Sequence, residues 1–174
     1  TTTVNTTINE TGSGVNTYQW TQVGGSNEVE FTDPNIQNPD VSATTEGTYT
    51  IQLEVTDNAG NIGSNTVDFT WDTTGPSIAT MTDRYEKAEF TQTASTTEAV
   101  SWNWSFATTT TSGNVTFGND TASSTTISAD TDAVYTITLT VEDDVGNQSS
   151  ESFDLTWDTT APSINIDSSL GTID

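Results

Sequence analysis

Residues 49–78 read YTIQLEVTDNAGNIGSNTVDFTWDTTGPSI, and residues 135–164 read YTITLTVEDDVGNQSSESFDLTWDTTAPSI. Eighteen of these thirty positions are identical at an offset of 86 residues. Upstream the match continues with a two-residue slip, Tyr18-Gln19-Trp20 against Trp102-Asn103-Trp104. The 174 residues are therefore about two copies of one unit. Solenoid repeats run about 20–50 residues, so this longer period is that of a small domain with its own core.

The apolar residues within each copy alternate. Tyr49, Ile51, Leu53 and Val55 are spaced by two, as are Tyr135, Ile137, Leu139 and Val141. Val67-Phe69-Trp71, Phe153-Leu155-Trp157 and Val100-Trp102-Trp104-Phe106 keep the same rhythm. A period of two is that of a half-buried strand. Turn residues punctuate the runs at Gly12-Ser13-Gly14, Gly24-Gly25, Asp57–Asn61, Gly118-Asn119-Asp120 and Asp143–Asn147. Short strands at such regular intervals predict an all-β fold, with each copy a β-sandwich.

Composition pulls in two directions. Leu, Ile, Val and Phe make up only 18% of the chain, and the net charge is -23, a combination typical of disorder. Against this stand 40 Thr, and Thr, Val and Ile together reach 36%. Such β-branched residues suit a pleated sheet. Aromatic residues supply large burial per position, so a sandwich needs few apolar residues. The charge excludes several functions. With 25 acidic residues against Arg84 and Lys87 alone, the chain repels nucleic acid. Without Cys or His there is no Cys/His zinc site, no thiolate nucleophile and no histidine base. No apolar run is long enough for a transmembrane helix, and no signal peptide is visible.

A Tyr opening an alternating strand, then V-x-D-x-x-G-N, then a strand ending W-D-T-T-(G/A)-P-S-I resembles bacterial and archaeal immunoglobulin-like repeats. PKD-like and cadherin-like modules of large surface adhesins, filaments and surface layers are similar. The resemblance implies two tandem Ig-like β-sandwich domains in a secreted or cell-surface protein. It makes Trp20 and Trp104 the inward strand C tryptophans, and Tyr49 and Tyr135 tyrosine corners. The expected division is 1–74 for domain 1, 75–160 for domain 2, and 161–174 for a surplus strand. In the second copy Pro76–Thr80 is expected to be the first strand. Thr1 aligns near Lys87, so the first copy is expected to lack that strand. Pro162-Ser163-Ile164-Asn165-Ile166 repeats it with no domain following. Two readings follow. The chain is a window cut from a longer array, or the terminal strand completes the first domain of the next subunit by β-augmentation. In the second reading Ile164 and Ile166 fill the vacant inward positions.

Acidic and amide residues recur at equivalent places. Asp57, Asn58 and Asn61 match Asp143, Asp144 and Asn147, and Asp72 matches Asp158. Calcium takes six to eight oxygens from carboxylates, amides and carbonyls on loops. The resemblance to cadherin-like repeats implies calcium at domain junctions. The same residues also suit an Asx turn, in which they cap their own backbone. Both readings stand at this level. Six N-x-S/T sequons occur, at Asn5, Asn9, Asn103, Asn114, Asn119 and Asn147, but a chain this rich in Thr and Ser yields nearly as many by chance.

No motif with catalytic mechanics is present, and acidic pairs within range of one another are expected without function. The function that emerges is mechanical: a stalk or spacer repeat, or a self-assembling filament subunit. Its partners would be neighbouring repeats or subunits. The rival is a glycan- or ligand-binding module using loops such as 107–114. That loop carries no aromatic platform between Thr108 and Gly113.

Overall fold

A computed structural model describes residues 1–108 and 113–166. The chain divides into two compact units, Thr1–Thr73 and Thr74–Asp174. Every regular element among the described residues is a strand. The first unit contains β1 (Thr2–Thr3), β2 (Val15–Gly24), β3 (Val29–Phe31), β4 (Asp40–Ala43), β5 (Gly47–Asp57) and β6 (Ile62–Trp71). They form two three-stranded sheets, in the orders β1-β4-β3 and β2-β5-β6. All their pairings are antiparallel.

The second unit contains β7 (Arg84–Glu86), β8 (Phe90–Thr93), β9 (Ser101–Thr108), β10 (Val115–Phe117), β11 (Ser124–Ala129), β12 (Ala133–Glu142) and β13 (Gln148–Trp157). Its sheets run β10-β11-β8 and β7-β13-β12-β9. Pairings equivalent by sequence keep one register. Leu53 faces Trp20 across β5 and β2, as Leu139 faces Trp104 across β12 and β9. The repeat in sequence is thus a repeat in structure.

The alternating runs build the cores as predicted. Tyr49, Ile51 and Leu53 bury with Trp20, Val29 and Val41 in the first unit. Tyr135, Ile137, Leu139 and Val141 bury with Trp104, Ile127, Phe153, Leu155 and Trp157 in the second. A buried indole N–H needs an acceptor. Trp20 Nε1 donates to the Ile36 carbonyl at 3.1 Å, and Trp104 Nε1 to the Ala122 carbonyl at 2.9 Å. Both tyrosine corners form. Tyr49 Oη donates to the Thr45 carbonyl at 2.6 Å, and Tyr135 Oη to the Thr131 carbonyl at 2.8 Å.

Val100, read with the run Val100-Trp102-Trp104-Phe106, precedes β9 and is 58% exposed. Two further features differ from the expectation. The first strand of the second unit is not one continuous run over Pro76–Thr80. It is a single antiparallel bridge, Ile78 to Thr96, after which the chain crosses to the other sheet as β7. There β7 pairs in parallel with the end of β13. Arg84-Tyr85-Glu86 carries no apolar alternation, so periodicity could not reveal it. The Arg84 guanidinium lies over the Phe90 ring of β8 and pairs with Glu86 of its own strand at 2.9 Å. The second difference is on β6. Val67 is 47% exposed, whereas Phe153, its counterpart on β13, is 3% exposed.

Candidate functional site

The exposure of Val67 follows from what covers each sandwich. In the second unit, the stretch before β8 closes the gap between the two sheets. Pro76 is fully buried, and Ile78 and Met81 pack against the core. The Ala79 N–H donates to the Ser95 carbonyl at 2.9 Å, and the Thr97 N–H to the Ser77 carbonyl at 3.1 Å. Beyond β7, the Asp158 N–H donates to the Glu86 carbonyl at 3.0 Å. Thus β13 is paired on both sides.

In the first unit, no described residue takes that place, and β6 pairs with β5 alone. The segment after β1 and the face of β6 bound a groove that reaches the core. One part, of about 300 Å³, is lined by Val4, Ile8, Trp20, Leu53 and Val67 among others. The next, of about 170 Å³, is lined by Val41, Ile51, Val67, Phe69 and Trp71 among others. Strand edges with unpaired N–H and C=O groups are templates for pairing. Meanwhile Pro162, Ile164 and Ile166, the repeat of the covering strand, all lie exposed, the isoleucines at 83% and 78%. Residues 167–174 of that segment and 109–112 of the candidate ligand loop lie outside the described residues.

The recurrent carboxylates sit in two copies of one turn. Asp57 Oδ1 accepts from the Ala59 and Asn61 N–H groups, both at 2.8 Å, and its Oδ2 accepts from Asn61 Nδ2 at 2.7 Å. Asp143 does the same with Val145, Asn147 and Asn147 Nδ2, at 3.0, 2.9 and 2.9 Å. Gly60 and Gly146 supply the positive φ that closes each turn, 86° and 94°. The Asn61 side chain, then backbone N–H bonds, hold Asp57 below the usual carboxylate range. At Asp143 burial acts the other way, but the bonds from Asn147, Val145 and Gly146 outweigh it and its pKa is lowered too. Asn58 takes a different task, donating from Nδ2 to the Ser13 and Gly14 carbonyls at 2.9 and 3.1 Å. Its counterpart Asp144 is exposed.

A calcium ion needs oxygens that converge. Within each unit the two recurrent groups do not. Asp72 follows the end of β6 and Asp57 precedes its start, a strand length of about 30 Å apart. Asp158 and Asp143 flank β13 in the same way. Asp158 Oδ1 accepts from its neighbour Thr160 N–H at 2.9 Å. Among the described residues, no group of three or more acidic side chains is placed to share an ion. Within each unit the oxygens of Asp57 and Asp143 are thus engaged in closing a turn.

Of the sequon asparagines, Asn5, Asn9, Asn103, Asn114 and Asn119 are exposed, and Asn103 points away from the core beside buried Trp104. Asn147 is half-buried, and its Nδ2 is the donor that closes the Asp143 turn. Trp20, Trp104 and Trp157 are buried, and Trp71 and Trp102 half-buried. Among the described residues, no helix is long and apolar enough to cross a membrane.

Comparison with known proteins follows the same division. Residues 1–71 match the family model described as K319L-like, PKD domain. Residues 85–159 match the model described as bacterial Ig-like domain. No curated protein matches the chain. Among solved structures, the fibronectin(III)-like modules of Clostridium thermocellum CbhA superpose with a TM-score of 0.43 and 9% identity, over 86% of this chain and 82% of that one.

Proposed function

We propose, for a chain that is two bacterial Ig-like domains in tandem, a structural role in a surface protein: a non-catalytic spacer or assembly repeat that acts outside the cell. Its first unit is completed by an extended strand supplied by a neighbouring repeat or subunit. One observation carries this reading. The segment that closes the second sandwich has no counterpart among the described residues of the first, while the same Pro-Ser-Ile sequence recurs, exposed, after the second. Bacterial Ig-like and PKD modules are typical of extracellular proteins, which supports the location. In this reading Asp57 and Asp143 close turns rather than bind calcium. For the ligand-binding alternative the described residues offer one exposed aromatic ring, Tyr85, and no exposed tryptophan.

The reading is tested by grafting. Residues 75–88, placed ahead of Thr1, supply the first unit with the strand that the second already has. The first unit should then melt several degrees higher, since buried apolar area is the main stabiliser of so small a core. An unchanged melting temperature, with the second unit intact, overturns the completion reading.

A further inference from the structure

The last hairpin of each unit ends its ladder at a matched place. Gly47 pairs with Trp71 at the final rung of β5 and β6, and Ala133 with Trp157 at the final rung of β12 and β13. The residue just before β5 is Glu46, and the one just before β12 is Asp132. Register therefore sets each acid across from the chain that has just left the sheet. Glu46 Oε1 accepts from the Thr73 N–H at 3.1 Å and from the Thr73 hydroxyl at 2.9 Å. Asp132 Oδ1 accepts from the Thr159 N–H and hydroxyl, both at 2.8 Å, and its Oδ2 accepts from the Thr160 hydroxyl at 2.6 Å. Asp158 Oδ1 takes the Thr160 N–H, so every donor of Thr159-Thr160 ends on a carboxylate.

Glu46 and Asp132 are 86 residues apart, as are Thr73 and Thr159, so the contact belongs to the repeated unit. Burial cannot be what holds these threonines. Thr73, Thr159 and Thr160 are all exposed, as are Glu46 and Asp132. Hydrogen bonds to an ionised acceptor are stronger than neutral ones. Those from the Thr160 hydroxyl and the Thr159 N–H hold the Asp132 carboxyl below the usual carboxylate range.

We propose that Glu46 and Asp132 are exit straps. Each carboxylate stands in for the carbonyl that a further rung of the ladder would supply. It keeps the residues past Trp71 or Trp157 as an ordered extension of the last strand rather than a loose tether. One exposed side chain per domain thus governs how stiffly the chain leaves it. This goes beyond the spacer reading and does not depend on what closes the first unit.

Amide hydrogen exchange and backbone relaxation of the full chain, read residue by residue, test the strap. The Thr73 and Thr159 amides should be protected although both lie outside the strands. Asp132→Ala should speed exchange at Thr159 about tenfold, the order expected for a hydrogen bond to a charged acceptor, and leave Thr73 unchanged. Glu46→Ala should do the reverse. Asp132→Asn keeps an acceptor oxygen and should lose less protection than Asp132→Ala. Amides of the β12–β13 ladder should stay protected throughout, which separates loss of the strap from loss of the fold. A Thr159 amide that exchanges freely in the unaltered chain, or that ignores Asp132→Ala, overturns the proposal. Should Asp132→Ala also release the ladder, Thr160→Val decides. It removes one strap bond and no charge, and it must loosen residues 159–161 with the ladder intact, or the proposal falls.

Discussion

Removing a single oxygen from each tyrosine corner separates the two units energetically. Tyr49→Phe and Tyr135→Phe keep the ring and its packing and delete one donor each. Both side chains are fully buried, and each hydroxyl donates to a carbonyl four residues upstream. Thr45 and Thr131 are themselves exposed, so each freed carbonyl can turn to water. The loss is then the net value of one hydrogen bond, about 1 kcal/mol. The entropy of unfolding is about 2 cal/mol/K per residue. For a first unit ending at Thr73 that gives about 0.15 kcal/mol per kelvin, and a fall of about 7 °C. The second unit is larger, so the fall there is about 5 °C.

Calorimetry should show two transitions, with Tyr49→Phe lowering one and Tyr135→Phe the other. A common shift of both transitions by either variant, or a shift below about 1 °C, would refute the view that each unit is an independent sandwich pinned by its own corner. Alkali adds a second readout. Burial, with the charges of Asp130 and Asp132, raises the Tyr135 hydroxyl above its ordinary pKa. A raised pKa means that the folded state holds the proton longer. Stability from this group is thus complete below the unfolded value near 10 and is lost as pH rises towards the folded one. The phenylalanine variant has no such proton, so its deficit should shrink above about pH 10.

Three further outcomes are expected. Carboxyl titration by NMR should place Asp57 and Asp143 below the ordinary aspartate value; their stabilisation is present above about pH 4 and lost as pH falls through the lower folded value. A midpoint at or above the ordinary value would remove the turn as its cause. Melting in calcium should match melting in a chelator at equal ionic strength, and a calcium-specific rise would reinstate a bound ion. Sodium chloride should raise both melting temperatures, because it screens a net charge of -23.

The sandwich was legible because its determinants are local. Tyr135-Ile137-Leu139-Val141 alternate, and alternation places all four on one face whatever else the chain does. The inward tryptophans and the tyrosine corners follow from the same register. What escaped was decided by neighbours far apart in sequence. Arg84–Glu86 becomes a strand through its partner Leu155–Trp157, which leaves no period in the sequence. Val67 reads as an inward residue by rhythm, yet it lies open because the element that would cover it is not among the described residues. At Asp57 the obstacle was chemical. An Asx turn and a calcium loop call for the same residue types, and only the distances from its oxygens to Ala59 and Asn61 favour the turn.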